Sequence, residues 1–112
     1  MKRYASHFLL LPGYGYLKQS VVEMEGNRVT RIFLLSEEIE NTEWLPGIII
    51  LLNKDIGNNV TLCESYFRKP YILSSIPERV EKQLSSLIPY LLFPFDFTTM
   101  QPVAETQHRL LR

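Results

Sequence analysis

The fold is decided by residues 43–54, which read Glu-Trp-Leu-Pro-Gly-Ile-Ile-Ile-Leu-Leu-Asn-Lys. Within this stretch, a turn at Pro46 and Gly47 leads into an unbroken aliphatic run. A half-exposed strand would alternate apolar and polar residues, so a continuous run indicates burial on both faces. We therefore predict that residues 44–52 form a central strand of a sheet.

The residues that precede this strand predict a β-hairpin. Residues 26–27 are Gly-Asn and separate two apolar segments, 16–24 and 29–35. This pair suits a two-residue turn, because glycine accepts the positive φ that such a turn needs. Val29 and Ile32 are three residues apart and cannot share one face of a regular strand. We expect a bulge or a change of face in the second strand.

Further strands are predicted in addition to the central strand and the hairpin. Apolar segments with strand composition occupy residues 4–11 and 60–67, and residues 71–73 form a short edge strand. Segments rich in proline, glycine, asparagine or acidic residues separate the strands and are predicted to be loops. These loops are 12–15, 36–42 and 55–59. Residues 4–73 thus form the strand-rich part of the chain.

The last third of the chain, 74–112, favours helix. Ser75 and Glu78 have the spacing of a capping box, in which each side chain bonds the backbone amide of the other residue. Apolar residues then recur on one helical face, at Ile76, Val80, Leu84, Leu87 and Ile88. We predict a helix over about 77–88 and a second helix in the tail from Thr99.

Together these segments predict one mainly β domain spanning residues 1–112, in which the helical part packs on the strand-rich part. Its architecture would be a bent β-sandwich or partial barrel of about six or seven strands, with one or two C-terminal helices. A chain of 112 residues with 46% apolar residues can bury one core of useful size.

Charge and cysteine content exclude several classes of protein. Twelve basic and twelve acidic side chains cancel, so the chain lacks the charge expected of a duplex nucleic-acid binder or a polybasic membrane protein. Cys63 is the only cysteine and is expected to be a buried strand residue. No apolar run approaches the roughly 20 residues of a membrane span. We expect a cytoplasmic protein without nucleic-acid or membrane partners.

The order of three motifs resembles a known family. Val-Val-Glu-Met at 21–24 is followed by Gly-Asn-Arg-Val-Thr-Arg-Ile at 26–32 and by Leu-Pro-Gly-Ile-Ile at 45–49. This succession is similar to the composite β-sandwich domain of amidohydrolase-type metallo-dependent hydrolases. The resemblance covers residues 4–52, and it implies a sandwich fold.

The chain departs from this family where the metal ligands belong. The family's aspartate falls on Ile50, and its two metal-binding histidines fall on Leu52 and Lys54. Neither leucine nor a protonated lysine can bind zinc. The family's catalytic barrel needs about 250 residues, far more than follow Lys54. We therefore expect a non-catalytic domain with no catalytic residues, no metal and no cofactor.

The aromatic segment near the C terminus is the best candidate for a functional surface. Its members are Tyr90, Phe93, Phe95 and Phe97, and the three phenylalanines would share one side of an extended segment. The segment either closes the core or forms an interface for a second copy or another protein. Tyr14 and Trp44 are candidates for the mouth of a ligand pocket.

The two histidines are weaker candidates for functional residues. His7 and His108 are the only histidines and lie near opposite ends of the chain. His7 is expected to be a strand residue on the polar face, and His108 is expected to be solvated. Three functions remain open. The domain is a structural or protein-interaction module, an accessory subunit of a hydrolase whose barrel is on another chain, or a small-ligand-binding module.

Overall fold

The structure, a computed structural model, describes residues 2–35, 41–53 and 71–111. These residues form one mixed sheet of seven strands that does not close into a barrel. The strands are β1 (Lys2–Leu11), β2 (Gly15–Glu25), β3 (Arg28–Leu34), β4 (Thr42–Trp44), β5 (Ile48–Asn53), β6 (Leu87–Asp96) and β7 (Gln101–Leu110). The helices described are α1 (Glu78–Lys82) and a 3₁₀ helix (Leu84–Ser86). The predicted mainly β class is confirmed.

The strands are ordered β3-β2-β1-β5-β6-β7, and β4 also pairs with β1. β1 runs parallel to both β4 and β5, with Ala5 opposite Trp44 and Leu9 opposite Ile49. The other pairings are antiparallel. β3 contacts β6 and the 3₁₀ helix, which are not its neighbours in the sheet, so the sheet is strongly bent.

β5 lies at the centre of the sheet and is buried on both faces, as the aliphatic run predicts. Its residues 48–52 are each at most 2% exposed. Ile49 and Leu51 belong to a first core cluster, together with Tyr4, Leu9, Leu11, Leu17, Val22, Met24, Val29, Ile32, Leu45, Val80, Leu91 and Leu111. The opposite face of β5 carries a second core cluster, which consists of Leu10, Tyr16, Ile48, Ile50, Leu52, Leu92 and Phe95.

β2 and β3 form the predicted hairpin, including its irregularity. The register between the strands shifts between Glu23 and Met24, which leaves Thr30 as an extra residue of β3. Val29 and Ile32 are both buried in the first core cluster as a result. The unequal spacing in the sequence therefore correctly indicated a bulge.

The prediction of one strand over residues 44–52 was wrong in one respect. The strand is interrupted between Trp44, the last residue of β4, and Ile48, the first residue of β5. Gly47 has φ +97°, which is outside the strand region, and the preceding Pro46 has no amide hydrogen to donate to a ladder. The chain therefore leaves β1 after β4 and returns to it as β5.

The predicted helix over 77–88 was also largely wrong. α1 has five residues, and β6 begins at Leu87 because residues 87–92 pair with β5. Pairing with β5 gives backbone amides and carbonyls within residues 87–92 hydrogen-bond partners. It also covers the edge of the buried strand β5, and together these gains outweigh the preference for helix that the apolar spacing indicates. No side chain caps α1, so the predicted capping box with Ser75 does not form. The apolar face predicted for residues 77–88 is nevertheless used in part, since Val80 of α1 belongs to the first core cluster and Leu84 of the 3₁₀ helix packs against it.

The tail forms a strand where a helix was predicted from Thr99. β7 pairs antiparallel with β6, with Leu110 opposite Tyr90 and Gln101 opposite Asp96. Without the tail, the backbone N–H and C=O groups along one side of β6 would lack strand partners. Pairing with β6 lets the backbone of the tail form its hydrogen bonds without forming a helix. The helical and strand-rich parts of the sequence therefore contribute to a single sheet.

Several predictions concern residues that lie partly or wholly outside the described ranges, and one more is only partly realised. The strand at 60–67, Cys63 and the loop at 55–59 lie outside the described residues, as do residues 36–40 of the predicted loop. The short edge strand at 71–73 is reduced to one bridge between Ile72 and Tyr16.

Candidate functional site

The hairpin of β1 and β2 changes face at its middle. Tyr4 and Leu9 are an odd number of residues apart, yet both pack in the first core cluster. Their partners on β2, Val22 and Leu17, do the same. The change of face lies between Ser6 and Phe8 on β1, opposite Gln19 on β2, whose φ is +43°. It leaves the side chains of His7 and Gln19 on the surface.

Two buried hydroxyls stabilise this change of face. Ser6 Oγ donates to the carbonyl of Phe8 at 2.6 Å, and Ser20 Oγ donates to the carbonyl of Lys18 at 3.2 Å. Each bond spans two residues and bridges the point where its strand switches. His7 lies between Ser6 and Phe8 and is exposed as a consequence.

Three exposed rings meet at this point and form what we call the aromatic patch, which consists of His7, Trp44 and Phe97. The His7 ring centre lies 4.9 Å from that of Trp44 at 88° and 5.8 Å from that of Phe97 at 76°. Edge-to-face contacts at these distances are favourable. Trp44 is 45% exposed and Phe97 is 40% exposed, so the patch presents large apolar surface to solvent.

The aromatic patch is anchored in the second core cluster. The Phe97 ring lies 5.6 Å from Phe95 and 5.9 Å from Phe8, and Phe8 lies 5.9 Å from Tyr16. Tyr16 is fully buried, and its hydroxyl donates to the Met100 carbonyl at 3.3 Å. Burial raises the pKa of Tyr16 to about 12, so this tyrosine stays neutral at physiological pH.

The turn that presents Phe97 is held by Asp96. One carboxylate oxygen of Asp96 accepts from the amides of Thr98 at 2.9 Å and Thr99 at 3.4 Å. The other oxygen accepts from the Thr99 hydroxyl at 3.0 Å. The bonds from the Thr98 amide and the Thr99 hydroxyl lower the pKa of Asp96, because they favour the charged form.

We expect this turn to loosen in acid. Because the pKa of Asp96 is lowered in the folded state, its contribution to stability is present above the ordinary carboxyl pKa and is lost as pH falls through the folded value. NMR titration should place the Asp96 midpoint below the ordinary aspartate value. Thr99→Val removes one donor and should move the midpoint upward. A midpoint at or above the ordinary value would show that these bonds do not hold the turn.

The buried carboxylate of Glu23 forms ion pairs with two arginines on neighbouring strands, of which Arg31 is 61% exposed. Glu23 accepts from Arg31 Nε at 2.9 Å and lies 3.7 Å from Arg3 Nη2. The Arg31 guanidinium also sits 4.5 Å from the centre of the Phe33 ring. The two arginines come from β1 and β3 and the carboxylate from β2. This arrangement links three neighbouring strands, and we interpret it as structural.

The aromatic segment of the sequence is divided between core and surface. Phe95 is buried in the second core cluster, Tyr90 is half-buried, and Phe93 and Phe97 are exposed. The three phenylalanines do not share one side, contrary to expectation. The register of β6 against β7 shifts between Phe93 and Phe95, and Phe97 lies in the following turn.

Tyr14 and Trp44 do not line a common pocket. Trp44 pairs with Ala5 near the start of β1, whereas Tyr14 follows Leu11 at its end. Six strand residues separate these positions by about 20 Å. Tyr14 borders a cavity, whereas Trp44 belongs to the aromatic patch.

His7 is the site residue that sequence reasoning missed. It was expected to be a strand residue on the polar face without a functional role, and no local pattern marks its contacts with residues 44 and 97. The turn at Asp96 does leave a signal, since Asp-Phe-Thr-Thr is typical of a turn closed by side-chain bonds. His108 is exposed, as expected, and its ring lies 5.9 Å from Tyr90.

Across residues 2–35, 41–53 and 71–111, no three histidine, cysteine, aspartate or glutamate side chains are grouped as metal ligands. No helix within these ranges is long and apolar enough to cross a membrane. In comparisons with family models, curated proteins and solved structures, the chain has no significant match.

Proposed function

We propose that this domain is a non-catalytic interaction module that associates with a second copy of itself through the aromatic patch. One observation carries the proposal: Trp44 and Phe97 are large, exposed and joined through the ring of His7. A contiguous exposed apolar patch on a small domain is typical of an interaction site. Tryptophan in particular is enriched among the residues that dominate binding energy.

The backbone around the patch supports binding without large ordering costs. β4 holds Trp44 against β1, the hydroxyls of Ser6 and Ser20 fix the change of face at His7, and Asp96 fixes the turn at Phe97. Side chains that are already ordered lose little conformational entropy on association. The patch is therefore suited to contact a partner as a fixed surface.

Charge favours a second copy as the partner. The chain has a formal net charge of zero, so two copies do not repel each other through their overall charge. In a two-fold dimer the same surface is used twice, and aromatic rings can pack edge to face against their own symmetry mates.

The apolar residues at the position of the family's aspartate and at one of its two metal-binding histidines support a non-catalytic role. Ile50 and Leu52 are buried in the second core cluster, where they contribute packing. The resemblance to the hydrolase composite domain would then extend to the fold and not to the chemistry. A single cysteine, Cys63, agrees with a cytoplasmic setting, which is part of the proposal.

Sedimentation velocity over a range of protein concentrations tests this function. We expect the sedimentation coefficient of the natural chain to rise with concentration. Trp44→Ser should weaken self-association by roughly 700-fold, because a two-fold dimer loses two tryptophans and each loss costs about 2 kcal/mol of binding energy. Phe97→Ser should act in the same direction.

Tyr71→Ser is the matched control, since Tyr71 is 63% exposed and lies outside the aromatic patch. It removes exposed aromatic surface and should leave self-association unchanged. A chain that sediments as a monomer at all concentrations would refute the proposal. So would equal weakening by Tyr71→Ser and Trp44→Ser.

A further inference from the structure

A cavity of about 270 Å³ lies at the C-terminal end of β1, away from the aromatic patch at the middle of that strand. It is bounded by the turn after β1, the end of β5 and helix α1. Four buried side chains line it, each at most 6% exposed: Leu11, Leu51, Leu52 and Val80. The two strands concerned are neighbours at the centre of the sheet. The cavity therefore has apolar walls on a rigid support.

The rim of the cavity carries polar groups. Tyr14, Asn53 and Gln83 line it as well, and all three are exposed. The backbone at two of them is held by hydrogen bonds: the Tyr14 amide donates to the Leu11 carbonyl at 2.9 Å, and the Gln83 amide donates to the Val80 carbonyl at 3.0 Å. A phenol and two carboxamides can both donate and accept hydrogen bonds.

Charge sets the class of ligand. Among the described residues, none of the side chains that line the cavity is charged. An ionised ligand would lose hydration there without gaining a partner of opposite charge, and this loss is costly. A neutral ligand can bury an apolar body against the walls and direct one polar group to the rim. This combination is typical of small-molecule sites.

Volume sets the size of the ligand. A cavity of about 150 Å³ accommodates benzene, so 270 Å³ corresponds to a ligand of about eleven non-hydrogen atoms by simple proportion. We propose that this cavity binds a neutral, mainly apolar molecule of that size that carries one hydrogen-bonding group. The site is separate from the aromatic patch, and its test does not depend on self-association.

The probe for this site is 2-naphthol, a neutral bicyclic phenol. Titration into the full chain, followed by amide NMR, should give saturable shifts at Tyr14, Asn53 and Gln83. We expect a Kd on the order of 0.1 to 1 mM, as ligand efficiency predicts for a molecule of this size. The carboxylate analogue, 2-naphthoate, should bind about tenfold more weakly because it is charged.

Two variants sharpen the test. Gln83→Phe places a ring at the exposed rim and should weaken 2-naphthol binding about tenfold, with circular dichroism confirming the fold. Tyr14→Phe removes only a hydroxyl and should weaken binding several-fold, whereas Tyr71→Phe, outside the cavity, should not. Shifts confined to other residues, equal binding of the two probes, or full binding by folded Gln83→Phe would each overturn the proposal. Absence of saturation up to about 5 mM would do the same.

Discussion

Gly47→Ala is expected to lower the free energy of unfolding by about 4 kcal/mol. Gly47 has φ +97°, a region that alanine adopts only with strain. An added Cβ would also collide with the carbonyl oxygen of Leu92 on β6, and it would lie 3.2 Å from the Cβ of Phe93. The oxygen belongs to the backbone of a paired strand, so it cannot rotate away. Strain and collision therefore act together.

Gly13→Ala separates these two causes. Gly13 has a similar φ of +86°, but a Cβ added there would have no atom within 4 Å. We expect Gly13→Ala to cost about 1 kcal/mol, which is the backbone term alone. The melting temperature of Gly47→Ala should fall by roughly 15 °C, about four times the fall for Gly13→Ala. Equal effects of the two substitutions would mean that β6 does not lie against Gly47.

Ile49→Ala and Ile50→Ala are both expected to destabilise the fold by about 3 kcal/mol. In an ordinary surface strand, alanine substitutions at two consecutive residues change the free energy of unfolding unequally, because only one of the two side chains faces the core. Here Ile49 lies in the first core cluster and Ile50 in the second, and both are fully buried. Each substitution would leave a cavity in a different cluster. Urea denaturation measures both changes.

The exposed residue Ile72 gives the matched comparison, since it is 50% exposed. Ile72→Ala removes the same atoms and should change the free energy of unfolding by less than about 0.5 kcal/mol. If Ile50→Ala were as mild as Ile72→Ala, the second core cluster would not exist as described. The double-sided burial of β5 would then be wrong.

The sequence allowed the centre of the sheet to be predicted because the signals there are local. The aliphatic run of β5 requires cover on both faces, and the spacing of Val29 and Ile32 requires an irregular strand. Residues 77–88 were mispredicted because their helical periodicity competes with pairing to β5. Strand pairing is favoured at residues 87–92 because the buried strand β5 needs a hydrogen-bonding partner on that side. No local sequence pattern indicates which segment of the chain will provide that partner.

The aromatic patch could not be predicted for a related reason. His7, Trp44 and Phe97 come from three distant segments, and strand register and the Asp96 turn bring them together. The sequence marks Phe97 as part of an aromatic segment and Trp44 as an isolated aromatic residue. Their meeting at His7 depends on a change of face within β1, which rests on two serine hydroxyls.

Trp44 is the only tryptophan in the chain, so its fluorescence reports on the aromatic patch alone. The most direct test of the proposed interface is acrylamide quenching of Trp44 as a function of protein concentration. If two copies meet at the patch, quenching should be strong in dilute solution, where Trp44 is 45% exposed, and should weaken as dimers form. Quenching that stays constant while the sedimentation coefficient rises would place the contact elsewhere and contradict this account.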